Sequence, residues 1–335
     1  MLKIMLSIAL TVVCWGVYGP LLHWGQIAMQ HSRLRPFVCV GIAYFLIAVL
    51  VPGIALYLKG ERGAWTARGA LWSLVAGALG ALGSLGIIMA FAHGGRPLFV
   101  MPLVFGGAPV TNAFLTIFMS RSFKQVGPVF VAGLILVVTG AVSVLIFKPG
   151  AGGQADFSGL TIGAVSWVIL WVAVVALSWG AYGPVLHKGQ MKMSGSRLRP
   201  LICVGLAYFA VAVFAPLVLL GAAGEQGAWT TSGTFWSIVA GAITATGALG
   251  IIMAFNFGGK PIYVMPLVFG GAPVVNTFFS MASGGADQPG PLFYAGLILV
   301  AVGAVVVLVF APRKAEGGRR KAESQERKAD RPVVG

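Results

Sequence analysis

The sequence predicts an all-α integral membrane protein in which ten transmembrane helices form two five-helix repeats of inverted topology. Three observations lead to this prediction: the composition, the recurrence of long apolar segments, and an internal duplication. Of the 335 residues, 58% are hydrophobic and 9% are charged, whereas a soluble domain carries about 25% charged residues. The composition therefore places the chain among membrane proteins.

Apolar segments recur along almost the whole chain, and each is long enough to span a bilayer as a helix of about 20 residues. The first segment follows Met1-Leu2-Lys3, with almost no basic residues before it and no clear small-residue cleavage site. We therefore interpret it as a retained span and not as a leader peptide. The ten predicted spans cover residues 4–24, 36–58, 70–92, 97–118, 126–147, 164–186, 200–221, 233–255, 261–281 and 291–311.

The chain contains an internal duplication. Trp15–Asn112 aligns with Trp179–Asn276 at a constant offset of 164 without a gap, and 62 of these 98 positions are identical. The match resumes after a one-residue deletion, where Ala132–Leu136 reappears as Ala295–Leu299. The predicted organisation is a first five-helix repeat (1–148), a linker (149–163), a second five-helix repeat (164–311) and a disordered basic cytoplasmic tail (312–335).

Loop charges predict how the repeats are oriented. An odd number of spans in each repeat makes the second repeat enter the membrane from the opposite side. With the N-terminus in the cytoplasm, 19 of the 23 Lys and Arg residues fall on the cytoplasmic side, eight of them in the tail. The positive-inside rule favours this orientation. Both termini are thus predicted to be cytoplasmic in a plasma or inner membrane. The motif SRLRP is expected outside at Ser32–Pro36 and inside at Ser196–Pro200.

Charge and cysteine placement exclude several classes of function. The formal charge of +15 does not indicate nucleic-acid binding, because eight Lys and Arg residues follow Pro312 in a polar tail of mixed charge. Such a tail is expected to lie against an anionic membrane face. All eight carboxylates are predicted in loops or the tail, and the three cysteines lie in apolar spans without metal-ligand spacing. We therefore expect no enzymatic activity, no cofactor and no metal.

The fourth span of each repeat carries prolines and a Gly-Gly pair. The segment Gly94–Asn112 (GGRPLFVMPLVFGGAPVTN) recurs as Gly258–Asn276 (GGKPIYVMPLVFGGAPVVN). Proline bends or breaks a helix, and in lipid a break persists only where protein or a water-filled cavity satisfies the freed backbone. A tightly packed central helix is the alternative interpretation. We predict gating helix breaks at Pro102, Pro109, Pro266 and Pro273, and solute contacts at Gly106, Gly107, Gly270 and Gly271.

The first span of each repeat carries the other candidate site residues. On a helical wheel, the positions that differ between the copies, Val17, Leu21 and Trp24 in the first, fall within a sector of roughly 60° and are predicted to face lipid. The retained side is predicted to face a cavity. Its aromatic residues, which can stack on a solute and donate a hydrogen bond, are Trp15, Tyr18, Trp179 and Tyr182.

Two pairs of polar residues allow two interpretations each. His23 and His187 lie near the ends of their helices, where they either contact a loop or act as a gate or a proton-sensitive contact. Asn112 and Asn276 lie in the fourth spans, where a buried amide either joins helices or faces the solute.

The chain has ten predicted spans in a five-plus-five inverted duplication. The dipeptides Trp15-Gly16 and Trp179-Gly180 lie in the middle of the first span of each copy. In these features the chain resembles the drug/metabolite transporter superfamily. Within it the chain is similar to the EamA-type proteins and the rhamnose/glucose porters over residues 4–311. The resemblance implies a ten-helix fold, a site between the two halves and solute movement by alternating access. The chain departs from the family pattern in two respects. It lacks the membrane carboxylate that proton-coupled members use, and its two copies are unusually alike.

These observations lead to a functional expectation. The chain is expected to be a secondary transporter of a small neutral or zwitterionic polar metabolite, such as a sugar, a nucleoside or an amino-acid-like solute. Its expected partners are this solute and membrane lipid, and we expect it to work as a monomer. A passive channel, which needs a continuous polar lining, and a non-transporting membrane scaffold are the alternatives.

Overall fold

The computed structural model describes residues 1–93, 97–121, 126–147, 162–223, 225–284 and 290–310. These residues form helices and loops without strands, and each predicted span corresponds to one helical segment. Over the residues searched, nine helices are long and apolar enough to cross a membrane, and a shorter one covers Pro128–Val144. The protein is therefore an all-α, multi-pass membrane protein. Most of the predicted linker (149–163) and all of the predicted tail (312–335) lie outside the described residues.

Several helices begin at a residue suited to a helix start. Proline opens the helices at Pro97, Pro128, Pro261 and Pro291, where its missing amide costs no helical hydrogen bond. The helices are α1 (Leu2–Ala28), α2 (Leu34–Lys59), α3 (Ala67–Ala92), α4 (Pro97–Ser120), α5 (Pro128–Ile146), α6 (Ile162–Lys192), α7 (Leu198–Ala222), α8 (Thr231–Asn256), α9 (Pro261–Gly284) and α10 (Pro291–Phe310).

Helices of the first repeat pack mainly on helices of the second. A β-carbon on Gly247 of α8 would collide with Trp15 of α1, and one on Gly83 of α3 would collide with Trp179 of α6. These are the same contact at an offset of 164. Because small residues let membrane helices approach closely, the glycines allow each tryptophan to contact the neighbouring helix closely.

The helices α1 and α6 run in opposite directions past α8. The beginning of α1 meets the end of α8, where Thr11 contacts Gly250, and the end of α1 meets the beginning of α8, where Gly25 contacts Gly233. The end of α6 instead meets the end of α8, because the Gln190 side chain donates to the Ile252 carbonyl there. The last turns of α1 and α6 therefore lie at opposite ends of the bundle.

The helices α2 and α7 cross near the centre of the bundle. Each contains one wide turn of the π type, at Leu46–Leu50 in α2 and at Ala210–Phe214 in α7. A β-carbon on Gly41 would lie 2.9 Å from that of Ala212, and the equivalent β-carbon on Gly205 would lie 2.8 Å from that of Ala48. The two glycines thus permit a close, reciprocal crossing.

A loop carboxylate of each repeat caps a helix of the other repeat. Glu225 accepts hydrogen bonds from the Ser32 hydroxyl (2.7 Å) and from the backbone amides of Arg33 (2.7 Å) and Leu34 (3.2 Å) at the start of α2. An anion is favoured at this position because the helix N-terminus has unpaired amides and a partial positive charge. We call this contact the Glu225 cap.

The Glu61 cap is the equivalent contact at the start of α7. Glu61 accepts from the Ser196 hydroxyl (2.6 Å) and from the backbone amides of Arg197 (2.9 Å) and Leu198 (3.1 Å). Burial of this carboxylate raises its pKa, but the hydrogen bonds from Ser196, Arg197 and Leu198 lower it by more. The pKa of Glu61 therefore lies below its ordinary value.

Two expectations about individual helices are wrong. The helices α4 and α9 continue without interruption through their prolines and Gly-Gly pairs, so the helix breaks expected at Pro102, Pro109, Pro266 and Pro273 are not present. On α1, Leu21 does not face lipid, since its side chain is only 5% exposed. Trp24 instead packs edge-on against Trp236, with 5.0 Å between ring centroids.

Candidate functional site

A cavity of about 420 Å³ lies between the two repeats. Its size is within the range of small-molecule sites. Eight Trp, Tyr and Phe residues form much of its wall, and they make four pairs offset by 164. These residues are Trp15, Tyr18, Tyr44, Phe105, Trp179, Tyr182, Tyr208 and Phe269.

The two tryptophans of the cavity are fixed by the same hydrogen bond in each repeat. Trp15 Nε1 donates to the Thr244 carbonyl at 3.3 Å, and Trp179 Nε1 donates to the Gly80 carbonyl at 3.1 Å. Positions 80 and 244 are themselves equivalent. Because their polar edges are occupied by the backbone, the indoles present carbon surface to the cavity.

Two equivalent tyrosines stack on each other at the cavity wall. The rings of Tyr44 and Tyr208 are nearly parallel, with 3° between planes and 3.9 Å between centroids. The Tyr44 hydroxyl donates to the Thr244 carbonyl at 3.4 Å, and the Tyr208 hydroxyl shares a hydrogen bond with the Ser84 hydroxyl at 2.9 Å. The pair joins α2 and α7 and leaves little freedom for either ring.

The Tyr182 hydroxyl is a buried polar group of the wall without a hydrogen-bond partner among the described residues. The Tyr44 and Tyr208 hydroxyls, in contrast, are both bonded. A buried hydroxyl without a partner costs about 1–3 kcal/mol. Tyr18, its counterpart, lines the same cavity and is more exposed. A solute with a hydrogen-bonding group would relieve this cost at Tyr182.

The cavity carries no formal charge from its described wall. None of its lining residues is Asp, Glu, Lys or Arg, and its lining includes one histidine, His23. No group of three His, Cys, Asp or Glu residues in the searched part of the chain is placed to hold a metal ion. The wall is therefore suited to stacking and to a few hydrogen bonds, and it has no fixed counter-ion for a strongly charged solute.

A smaller vestibule of about 220 Å³ adjoins the cavity near the end of α1. Its walls include His23, Gln26 and Ile88, which also line the main cavity, together with His31 and Arg33. We call this region the His23 end. The opposite end of the bundle, at the last turns of α6, is called the His187 end.

The cavity opens toward the His23 end and is closed toward the His187 end. Gln26 is partly exposed while its counterpart Gln190 is 1% exposed. Met101 is likewise partly exposed, and its counterpart Met265 is fully buried. The structure therefore shows one accessible end, although equivalent residues such as Gln26 and Gln190 lie at both ends.

Three contacts close the His187 end. Gln190 Nε2 donates to the Ile252 carbonyl at 3.0 Å, and Asn112 Nδ2 donates to the Pro261 carbonyl at 2.9 Å. The His187 ring packs edge-on against Phe255, with 5.0 Å between centroids. These contacts join α4 and α6 of one part of the bundle to α8 and α9 of the other.

The structure places the predicted site residues in different surroundings. Trp15, Tyr18, Trp179 and Tyr182 line one cavity, together with His23, Pro273 and Asn276. His187 and Asn112 lie at the closed end. Gly106 faces Val142 of α5, Gly107 faces Ala176, Gly270 faces Val137 and Gly271 faces Val12, so these four glycines lie against neighbouring helices and outside the cavity lining. Pro109 and Pro266 lie inside helices α4 and α9, and the Pro102 side chain lies outside the described part of the chain.

Sequence reasoning missed two equivalent aromatic pairs of the wall, Tyr44 with Tyr208 and Phe105 with Phe269, and a proline in α1. Tyr44 and Tyr208 are retained in both copies within AYF, which was a usable signal. Pro20 of α1 has no amide, so the Gly16 carbonyl one turn earlier lacks its helical partner. Asn276 Nδ2 donates to this carbonyl at 3.1 Å. The amide side chain thereby satisfies a backbone group that the proline left unpaired.

Comparison with known proteins supports the fold alone. A solved structure titled "Crystal structure of protein" is similar to this chain with a TM-score of 0.66 and 19% identity, over 92% of this chain and 97% of that chain. No family model matches the chain, and no curated protein matches it. The similarity thus extends over nearly the full length of both chains at the level of the fold.

Proposed function

We propose that the protein is a secondary transporter of a small neutral or zwitterionic polar metabolite and that it works by alternating access. A single observation carries this proposal. Matched residues of two sequence repeats line one cavity, and that cavity is accessible from one end while equivalent residues close the other. A protein that exposes a site alternately to two sides of a membrane requires a cavity of this kind.

The architecture proposed with this function is a ten-span, five-plus-five inverted repeat of the drug/metabolite transporter type. The opposite directions of α1 and α6 and the reciprocal caps of Glu61 and Glu225 support it. With both termini in the cytoplasm, as the loop charges favour, the His23 end opens away from the cytoplasm. The proposed transporter works as a monomer, since matched elements of one chain supply both halves of the cavity.

The cavity wall supports the proposed class of solute. Aromatic faces can stack on a sugar ring or a base, and the hydroxyls of Tyr18 and Tyr182 can exchange hydrogen bonds with it. The wall carries no carboxylate, Lys or Arg among its described residues, so a solute with net charge would lose its hydration without gaining a counter-ion.

A metabolite screen followed by a transport assay tests this proposal. Purified protein is heated with members of a library of sugars, nucleosides and amino acids, and compounds that raise its melting temperature are tested for countertransport in proteoliposomes. We expect saturable uptake that is stimulated by unlabelled solute inside. Uptake without this stimulation would indicate a channel, and neither stabilisation nor uptake would indicate a scaffold; either result contradicts the proposal.

Two tryptophan variants of α6 provide a matched control for the assay. Trp179→Leu removes an indole from the cavity wall and should abolish stabilisation by the solute. Trp167→Leu changes the same residue type in the same helix, at a position that is 50% exposed and outside the cavity lining. It should bind and transport normally.

A further inference from the structure

Equivalent residues of the two repeats make two kinds of contact. Contacts such as the tryptophan hydrogen bonds and the glutamate caps occur in both repeats. A second group of contacts occurs at the His187 end. At the His23 end, the equivalent residues of the other repeat make different contacts. Three pairs belong to this second group: Gln26 with Gln190, Asn276 with Asn112, and Arg33 with Arg197.

The two glutamines differ in whether the side chain donates a hydrogen bond to a described residue. Gln190 donates to the Ile252 carbonyl at 3.0 Å. Gln26 has the equivalent acceptor available, because Ile88 corresponds to Ile252 and lines the same vestibule. The Gln26 side chain nevertheless makes no hydrogen bond to a described residue and faces the vestibule and the cavity.

The asparagine pair uses two different acceptors. At the open end, Asn276 Nδ2 bonds the Gly16 carbonyl, which Pro20 leaves unpaired. At the closed end, the equivalent carbonyl would be that of Gly180, one turn before Pro184 in α6. Asn112 instead bonds the Pro261 carbonyl at the start of α9. Each asparagine therefore has two acceptors within its own sequence context, and the two copies use different ones.

The two arginines differ in whether they form an ion pair with a described residue. Arg197 Nε lies 2.9 Å from Glu61 Oε1. Its counterpart Arg33 makes no ion pair with a described residue, although Glu225 accepts its backbone amide, and its side chain lines the vestibule. Among the described residues, the guanidinium of Arg197 at the closed end is therefore paired with a carboxylate, and that of Arg33 at the open end is not.

The acceptors of all three pairs are identical in the two repeats. Ile88 and Ile252, Pro97 and Pro261, and Glu61 and Glu225 are the same residue types at the same offset. Each end of the bundle therefore has the groups needed for both arrangements. A buried amide N–H group needs a partner, and water can provide one at an open end, so the donating amide nitrogens of these side chains have a partner in either arrangement.

We propose that Gln26, Asn276 and Arg33 form a second gate at the His23 end, built to close as Gln190, Asn112 and Arg197 open. In the alternative state Gln26 donates to the Ile88 carbonyl, Asn276 to the Pro97 carbonyl, and Arg33 pairs with Glu225. At the same time Asn112 moves to the Gly180 carbonyl. This inference rests on the proposed function and adds the residues that hold each of its two states.

Cysteine accessibility tests the gate without any solute. Met101→Cys reports the His23 end and Met265→Cys the His187 end, and each is labelled with a soluble thiol reagent in purified protein. The native Cys14, Cys39 and Cys203 are buried. Gln190→Leu removes a contact of the present state, so Met265→Cys should label about fivefold faster and Met101→Cys more slowly. Gln26→Leu removes a contact of the alternative state, so Met265→Cys should label more slowly and Met101→Cys faster.

A second pair of variants keeps the test decisive if a glutamine variant fails to fold. Asn112→Ala should act in the direction of Gln190→Leu, and Asn276→Ala in the direction of Gln26→Leu. Gln226→Leu, at an exposed loop glutamine, is the control and should leave both rates unchanged. Equivalent substitutions that shift labelling in the same direction, or not at all, would overturn the proposed gate.

The labelling and transport results separate the two proposals. Opposite shifts without any transported solute would support the gate and contradict the transporter. Transport by a protein whose labelling does not shift would support the transporter and contradict the gate.

Discussion

The first and second repeats share most of their residues, but the two ends of the bundle that they form are in different states. Two contacts that occur in both repeats, Trp15 with Thr244 and Trp179 with Gly80, lie at the cavity wall. Contacts that occur once, such as Gln190 with Ile252, lie at the closed end. The comparison indicates that a constant framework surrounds the cavity and that the contacts at its ends decide which side is accessible.

The largest expected effect concerns the direction of the repeats. Gln30 and Ser194 are equivalent, exposed residues in the loops after α1 and α6. In intact cells an impermeant thiol reagent should label Gln30→Cys and should not label Ser194→Cys, because five spans separate their repeats. Labelling after membrane disruption serves as the control and should be equal. Equal labelling in intact cells would contradict opposite orientation.

The next prediction tests whether the framework is the same in both repeats. Gly83→Val and Gly247→Val each place a side chain against a tryptophan, at Trp179 and Trp15 respectively. Both should lower the free energy of unfolding by about 1–3 kcal/mol, as overpacking does. Thermal unfolding in detergent measures this loss.

Two other glycines serve as controls for that measurement. Gly53 and Gly221 have no atom within 4 Å of an added β-carbon, so Gly53→Val and Gly221→Val should cost much less. A tolerated substitution at only one of Gly83 and Gly247 would show that the two halves of the framework are not equivalent.

A smaller effect should distinguish the two caps. The Glu61 side chain is 5% exposed and pairs with Arg197 and Arg199, whereas that of Glu225 is 18% exposed and pairs with Arg35. Glu61→Gln should therefore destabilise the protein by about 1–3 kcal/mol at pH 7, and Glu225→Gln by less. Thermal unfolding of both variants checks the order.

The Glu61 cap also predicts a pH dependence. The pKa of Glu61 is lowered in the folded state, so its contribution is fully present above the unfolded pKa of about 4.3 and is lost as the pH falls through the folded value. The stability difference between the wild type and Glu61→Gln should therefore shrink below about pH 4.3. A difference that stays constant down to pH 2 would contradict this assignment.

The smallest expected effect concerns the two tyrosine hydroxyls of α1 and α6. Tyr18→Phe and Tyr182→Phe should each weaken solute affinity by roughly five- to tenfold, as for one lost hydrogen bond of about 1–1.5 kcal/mol, and neither should lower the melting temperature. Tyr57→Phe, at an 89% exposed tyrosine, is the control. A lower melting temperature with unchanged affinity would instead indicate a bond to a neighbouring helix.

Much of the fold could be predicted, because the length of the apolar segments indicates membrane spans and the internal duplication indicates two repeats. The helical wheel of α1 correctly placed Trp15 and Tyr18 on the side that lines the cavity. Its prediction that Leu21 and Trp24 face lipid was wrong. Trp24 contacts Trp236, whereas its counterpart Lys188 lies 4.0 Å from the centre of the Trp72 ring. Positions that differ between copies can thus face a neighbouring helix, since one tryptophan accepts either an aromatic or a cationic partner.

Other features could not be predicted, for physical reasons. Gly106-Gly107 and Gly270-Gly271 have low helix propensity in water, but helices in lipid tolerate glycine where it allows close packing. The accessible end could not be predicted either, because Gln26 and Gln190 have the same acceptor residue at the same offset, Ile88 and Ile252. A repeated sequence encodes both arrangements and does not say which one is populated.

The reciprocal caps have a consequence for how the chain is made. The amide of Arg33 and the Glu225 carboxylate that accepts it are separated by 192 residues. At a synthesis rate of about 5–20 residues per second, the start of α2 waits roughly 10–40 seconds for its partner. During this interval α1 also lacks α8, so the first repeat inserts before it can complete its packing. We expect the nascent first repeat to depend on the insertion machinery or on lipid until the second repeat emerges from the ribosome.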